Sequence, residues 1–209
     1  ESSLKVIEKM KQTSLRMYGH KALGQWLDIA EGSLFQNIRT YKPTDKLEFE
    51  SSFAYIDIAD EGTDYLCMVV GRNIGSDVLI TDIVFSDSNI DITLPQCAIA
   101  IKKNNVSYCR VESNSAGALF GRLLQKEVND TTILFAHSTT HKHTRILNDS
   151  VSICEYFRFK DEESRSPMYH DAIGQLRLYT KDGKAKHDDM PDACSGLMTF
   201  IRSMLFYLY

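Results

Sequence analysis

Short, unbroken apolar runs separated by polar turns fill the middle of the chain. Phe53-Ala54-Tyr55-Ile56-Asp57 is followed by Tyr65-Leu66-Cys67-Met68-Val69-Val70 and then by Val78-Leu79-Ile80-Thr81-Asp82-Ile83-Val84-Phe85. Runs of this length, bounded by Gly, Asn and Asp, predict buried strands, and three in succession predict an antiparallel meander. The spacing then changes. Ile92 to Lys103 carries apolar residues at helical period, Val106 to Val111 reads as a strand, Ala116 to Val128 as a helix and Thr132 to Ala136 as another strand. Helical patterns run from Thr144 to Phe157, from Pro167 to Leu178 and from Pro191 to the end, with Lys160 to Ser166 a charged loop and Lys181-Asp182-Gly183-Lys184 a turn. Residues 1–50 have a different character: an amphipathic opening (Leu4, Ile7, Met10, Leu15), then Leu23, Trp26, Leu27 and Ile29, then Gly32, and finally Tyr41-Lys42-Pro43-Thr44-Asp45. That pattern predicts an appendage and linker over 1–50, ahead of one domain over 51–209.

A meander followed by alternating helices and strands predicts an α/β fold, a five-stranded mixed sheet flanked by helices. That is the ribonuclease-H-like arrangement. In it the end of the first strand, the end of the fourth and a helix near the C-terminus converge at one edge.

Acidic clusters fall at those three places. Asp57 ends the first strand run and is followed by Asp60, Glu61 and Asp64; Glu112 ends the fourth, ahead of Ser113 and Asn114; His187-Asp188-Asp189-Met190-Pro191-Asp192 opens the last helix. Carboxylates drawn together from distant segments repel one another, and hard cations such as Mg²⁺ or Mn²⁺ relieve that repulsion. Asp57 could also begin a turn ending at Gly62, and Asp60, Glu61 and Asp64 suit that role better. Glu112 precedes the natural helix-capping residues and so is free for a metal. One aspartate would cap the last helix, and three are surplus; which of Asp188, Asp189 and Asp192 would ligate is left open, although Asp189 and Asp192 are neighbours on a helix. His187 could meet a metal or a phosphate, or be a solvated loop residue.

Length and composition then narrow the classes. A chain of 209 residues, 43% hydrophobic and 25% charged, fits an ordinary globular domain. No run approaches the ~20 apolar residues that span a bilayer, and Glu1-Ser2-Ser3-Leu4-Lys5 lacks the order of a signal peptide, so a soluble, unexported protein is expected. Five cysteines, with no CxxC pair, predict reduced thiols. A net charge of −4 excludes a general nucleic-acid coat, but leaves room for a DNA enzyme delivered by another domain. Lys142 and Arg145 are candidate phosphate contacts. His137, His141 and His143 lack the cysteine or acidic partner expected of a zinc site. A GxxxxGK[ST] loop is absent, so nucleotide hydrolysis by this chain alone is not expected.

Four stretches, in order, resemble the C-terminal nuclease domain of the large terminase subunit, the DNA-packaging motor of tailed bacteriophages with relatives in herpesviruses. They are Ile56-Asp57-Ile58-Ala59-Asp60-Glu61-Gly62-Thr63-Asp64-Tyr65, Val111-Glu112-Ser113-Asn114-Ser115-Ala116-Gly117, Lys142-His143-Thr144-Arg145-Ile146 and His187-Asp188-Asp189-Met190-Pro191-Asp192-Ala193. The opening around Gly24-Gln25-Trp26-Leu27 is similar to that family's connection from its ATPase domain, which makes the chain look like a fragment. The resemblance implies a nuclease that cuts concatemeric viral double-stranded DNA in the host cytoplasm with Mg²⁺ or Mn²⁺ and little sequence preference. It assigns metal binding and catalysis to Asp57, Glu112 and the Asp188, Asp189, Asp192 group, and DNA contacts to Lys142, Arg145 and His187. It implies as partners the N-terminal ATPase domain of the same polypeptide, a portal protein and a small terminase subunit, with no membrane and a monomeric isolated domain. A two-ion mechanism would have Asp57 bridge the ions while Glu112 and Asp189 complete their shells. The alternatives are a Holliday-junction-resolvase or transposase-like nuclease, and a non-catalytic DNA-docking module.

Overall fold

The computed structural model describes residues 32–43, 51–58, 65–113, 115–137 and 140–206. Its strands are β1 (Arg39–Tyr41), β2 (Ser51–Asp57), β3 (Leu66–Ile74), β4 (Asp77–Ser86), β5 (Tyr108–Glu112), β6 (Thr132–Ala136) and β7 (Phe157–Lys160). The helices are α1 (Ile90–Lys103), α2 (Ser115–Glu127), α3 (Lys142–Tyr156), α4 (Pro167–Leu178) and α5 (Asp189–Phe206), with one 3₁₀ turn at Glu162–Ser164.

The sheet has seven strands, in the order β1-β7-β4-β3-β2-β5-β6, where five were expected. The two additions are short. β1 and β7 pair in parallel with each other, and β7 follows α3 without a turn, so the segment read as helix as far as Phe157 changes period abruptly there. β2, β3 and β4 form the expected antiparallel meander, while β5 joins β2 in parallel and β6 joins β5 in parallel. Residues 32–43 contribute Phe35, fully buried, as well as β1. Among the described residues no helix is long and apolar enough to cross a membrane.

Alternation along β2 sorts its side chains between two cores. Phe53 and Tyr55 face the core shared with α3, α4 and α5, whereas Ala54 and Ile56 face the one shared with α1 and α2. Both faces of the strand are covered, which is why its sequence reads as an unbroken apolar run. Asp57 has the parity of Tyr55, so it emerges on the α5 side at the strand's end. On β5, Cys109 and Val111 belong to the α1 and α2 core, which leaves Tyr108, Arg110 and Glu112 on the α5 side. Two carboxylates on adjacent parallel strands are thus brought to one face and one edge. α5 approaches β2 closely at Gly196, where a Cβ would lie 2.3 Å from the Tyr55 ring.

Candidate metal centre

Asp57, Glu112 and Asp192 each offer a carboxylate oxygen within 4.8 Å of the others'. Among the described residues this is the group of three or more acidic, histidine or cysteine side chains placed to share a cation. Strand β2 supplies Asp57, 6% exposed; β5 supplies Glu112, half-buried; the first turn of α5 supplies Asp192, fully buried. The remaining acids of the sequence reading are placed differently. Asp188, just before α5, accepts from Lys142 Nζ at 3.1 Å, and its backbone carbonyl receives the Asp192 N–H. Asp189, which the two-ion scheme had completing the shells, accepts from Gln175 Nε2 at 2.8 Å and from the Tyr65 backbone N–H at 3.4 Å. Gln175 in turn accepts the Met190 N–H at 2.6 Å, so Asp189 and Gln175 together anchor the start of α5 on α4. Asp60, Glu61 and Asp64 lie outside the described residues.

Two cations lie among these carboxylates. Lys142 Nζ stands 3.1 Å from Asp192 Oδ2, 3.1 Å from Asp188 Oδ1 and 3.6 Å from Asp57 Oδ2. Arg145 contacts Asp192 Oδ1 through Nη2 and Nε and reaches Glu112 Oε2 at 3.9 Å. Tyr55 donates its hydroxyl to Glu112 Oε2 at 3.1 Å. Arg145 is 12% exposed and Lys142 41%, so of these two candidate phosphate contacts only Lys142 has a substantial solvent-facing surface. Both stand in the first turn of α3, and both engage carboxylates.

Electrostatics follow from this crowding. Burial, then Asp192, push the Asp57 carboxyl well above its ordinary range, and Glu112 and Asp189 add to them against the pull of Lys142. Burial alone would lower the Lys142 ammonium, but Asp57, Asp192 and Asp188 together outweigh it and raise it. Burial, then Glu112, raise the Tyr55 phenol, which keeps it a donor. Asp192 Oδ2 is buried and accepts no hydrogen bond, with Lys142 close enough for attraction but off line. An all-oxygen, carboxylate-rich set with a buried acceptor left open fits a hard divalent ion such as Mg²⁺ or Mn²⁺.

The histidines stand apart. His187 packs edge-on against the Tyr65 ring, with centroids 5.9 Å apart. His143 Nδ1 meets the Tyr179 hydroxyl at 2.9 Å, and His137 lies exposed just past β6. The sequence reading missed Tyr55, Gln175 and Arg110. Tyr55 and Arg110 lay two residues before the chosen acids, where strand parity puts them on the same face.

No protein-family model matches the chain, and no curated protein matches it. Solved structures do. The human cytomegalovirus terminase nuclease domain, Mn soaked and inhibitor bound, superposes with a TM-score of 0.55 at 14% identity, over 84% of this chain and 95% of that one. The large terminase of a thermophilic bacteriophage gives 0.59 at 13% identity, over 92% of this chain; this chain spans 52% of that protein's length. The nuclease domain of the bacteriophage SPP1 large terminase with bound Mn gives 0.54 at 14% identity, over 79% and 98% of the two chains. The seven-stranded sheet and its helices are the fold of viral terminase nuclease domains.

Proposed function

We propose that this chain is a divalent-metal-dependent endodeoxyribonuclease that cuts concatemeric viral double-stranded DNA during genome packaging. The observation that carries the reading is the convergence of Asp57, Glu112 and Asp192, from three separate elements, on one cation-sized space. The fold shared with terminase nuclease domains, one of them solved with bound Mn, supports it. Asp57, Glu112 and Asp192 would hold the metal; two Mg²⁺ or Mn²⁺ ions would supply Lewis-acid stabilisation of phosphate charge and a more acidic water.

The chain's own residues prepare that site. Tyr55 fixes Glu112 through Oε2 and leaves its other oxygen available. Arg145 pins the buried Asp192, and Lys142 partly neutralises the cluster from its solvent side. Asp189 and Gln175 set the position of the α5 start, and so of Asp192. Under this reading the stretch ahead of residue 32 links the domain, whose sheet and core also take in residues 32–43, to an ATPase domain of the same polypeptide, in a motor with a portal and a small subunit in the host cytoplasm. Lys142, Arg145 and His187 contribute less to DNA binding than to the site's internal order.

Plasmid nicking tests the proposal. The parent should nick supercoiled plasmid in Mn²⁺ or Mg²⁺ and stop when the ion is chelated. Asp57→Asn and Asp192→Asn, which keep shape and remove charge, should each lower the rate by at least about a hundredfold. A folded Asp57→Asn variant that nicks at the parental rate would show that the cluster is not the reaction centre.

A further inference from the structure

Arg145 is committed to carboxylates, and so is Lys142 while the site holds no metal, so a cation free of carboxylate partners is the one best placed to meet a substrate phosphate from the outset. A cavity of about 380 Å³ beside the acid cluster holds one. Its walls include Tyr55, Arg110, His137, Arg145, Asn148 and Thr199. Two of these, Tyr55 and Arg145, also reach Glu112, so the cavity and the acid cluster share a wall. The cavity's lining is drawn from β2, β5, β6, α3 and α5.

Arg110 differs from the other cations here. Its guanidinium stacks 4.2 Å over the Phe200 ring and donates one hydrogen bond, 3.1 Å, to Ser203 Oγ. Among the described residues no carboxylate lies in salt-bridge range of it; Asp149, which also lines the cavity, is spent on Arg202 at 2.6 Å and on Ser195 Oγ at 2.6 Å. A half-buried arginine stacked on an aromatic ring is held in place with its fork still able to donate to an anion. Arg110 and Glu112 share one strand face two residues apart, about 7 Å along the strand. That is comparable with the spacing of successive phosphates on a DNA strand.

We propose that this cavity binds the backbone phosphate next to the scissile one, with Arg110 as its charged contact. The inference rests on the nuclease reading and adds a substrate position to it. A contact to the phosphate alone would position DNA of any sequence. His137, at the exposed rim, and Asn148 are the polar groups placed to flank the same strand.

The test measures DNA affinity against salt. A labelled duplex is titrated with the 209-residue chain carrying Asp57→Asn, so that nothing is cut, and with the same chain also carrying Arg110→Gln or Arg110→Lys. Arg110→Gln should weaken binding about tenfold and flatten the slope of log affinity on log salt by about 0.9, the value of one phosphate contact. Arg110→Lys should restore the slope, because it restores the charge. An arginine that only supports Phe200 would lower the melting temperature and leave the slope alone, and that result overturns the proposal. Plasmid nicking by chains with Asp57 intact separates the two readings. Mn²⁺-dependent nicking together with an unchanged slope in Arg110→Gln rejects the phosphate site alone. A parent that neither binds duplex nor nicks it rejects both.

Discussion

Two ionic clusters sit at opposite edges of the same sheet, and they are built on opposite charge balances. At the start of β4, Asp77 lies between two arginines, with Arg39 Nη1 2.7 Å from Oδ1 and Arg158 on Oδ2. One carboxylate there faces two cations. At the other edge four carboxylates, Asp57, Glu112, Asp188 and Asp192, face the two cations Lys142 and Arg145. The Asp77 cluster ties β1 and β7 to β4 and is complete as it stands. The other retains an excess of negative charge under burial, a state that raises the Asp57 carboxyl and that either a proton on Asp57 or a further cation relieves. The contrast separates an ion-pair network whose charges balance from one left with surplus carboxylates, a distinction that a count of salt bridges would hide.

Changing either balance should expose the difference. The largest effect is expected from Arg145→Ala, which leaves the fully buried Asp192 without its main partner and should cost about 3 kcal/mol of metal-free stability; a denaturant titration in chelator measures it, and Mn²⁺ should recover part of the loss. Gly196→Ala should cost about 2 kcal/mol, because the new methyl displaces the Tyr55 ring and with it the hydrogen bond to Glu112. Mn²⁺ binding by calorimetry should weaken in the same variant.

Asp57→Asn works in the other direction. A carboxyl whose folded pKa is raised binds its proton more tightly in the folded state than in the unfolded chain, so the parent loses stability as pH climbs from the ordinary carboxylate range towards that raised value. The asparagine variant escapes that loss. In chelator it should match the parent near pH 4 and melt higher at pH 7, while Mn²⁺ should stabilise the parent alone. The smallest change is expected from Asp77→Asn. Its arginines are 43% and 37% exposed and can turn to solvent, so the cost should be about 1 kcal/mol or less, with the Mn²⁺-induced rise in melting temperature unaltered. A loss of Mn²⁺ response in Asp77→Asn would break the comparison.

Much of this was legible in the sequence because buried strands announce themselves. β2 to β6 each overlap an apolar run, although β3 continues past Val70 through Gly71-Arg72-Asn73 to Ile74, and the residues ending β2 and β5 were readable as the acids that meet. β1 and β7 escaped notice for physical reasons. They pair in parallel with each other across more than a hundred positions, and each is too short to establish a period. Phe157-Arg158-Phe159-Lys160 does alternate, with both phenylalanines buried, but the helix ending at Tyr156 extends its pattern into it. The choice among Asp188, Asp189 and Asp192 turned on where α5 begins. Starting the helix at Asp189 places that residue against Gln175 and Tyr65 and puts Asp192 beside Asp57, a rotation that no local signal fixes. The commitment of Arg145 to Asp192 was equally hidden, since the two stand 47 positions apart in the chain.

The central claim is that the acid-rich edge is a divalent-metal site, and anomalous scattering from a crystal of the chain soaked in millimolar Mn²⁺ tests it most directly. The account predicts a peak within about 2.2 Å of carboxylate oxygens of Asp57, Glu112 and Asp192, with Lys142 Nζ displaced from the cluster and no peak at Asp77. An ordered crystal in which Lys142 still spans Asp57, Asp188 and Asp192 and no manganese appears among them would contradict it.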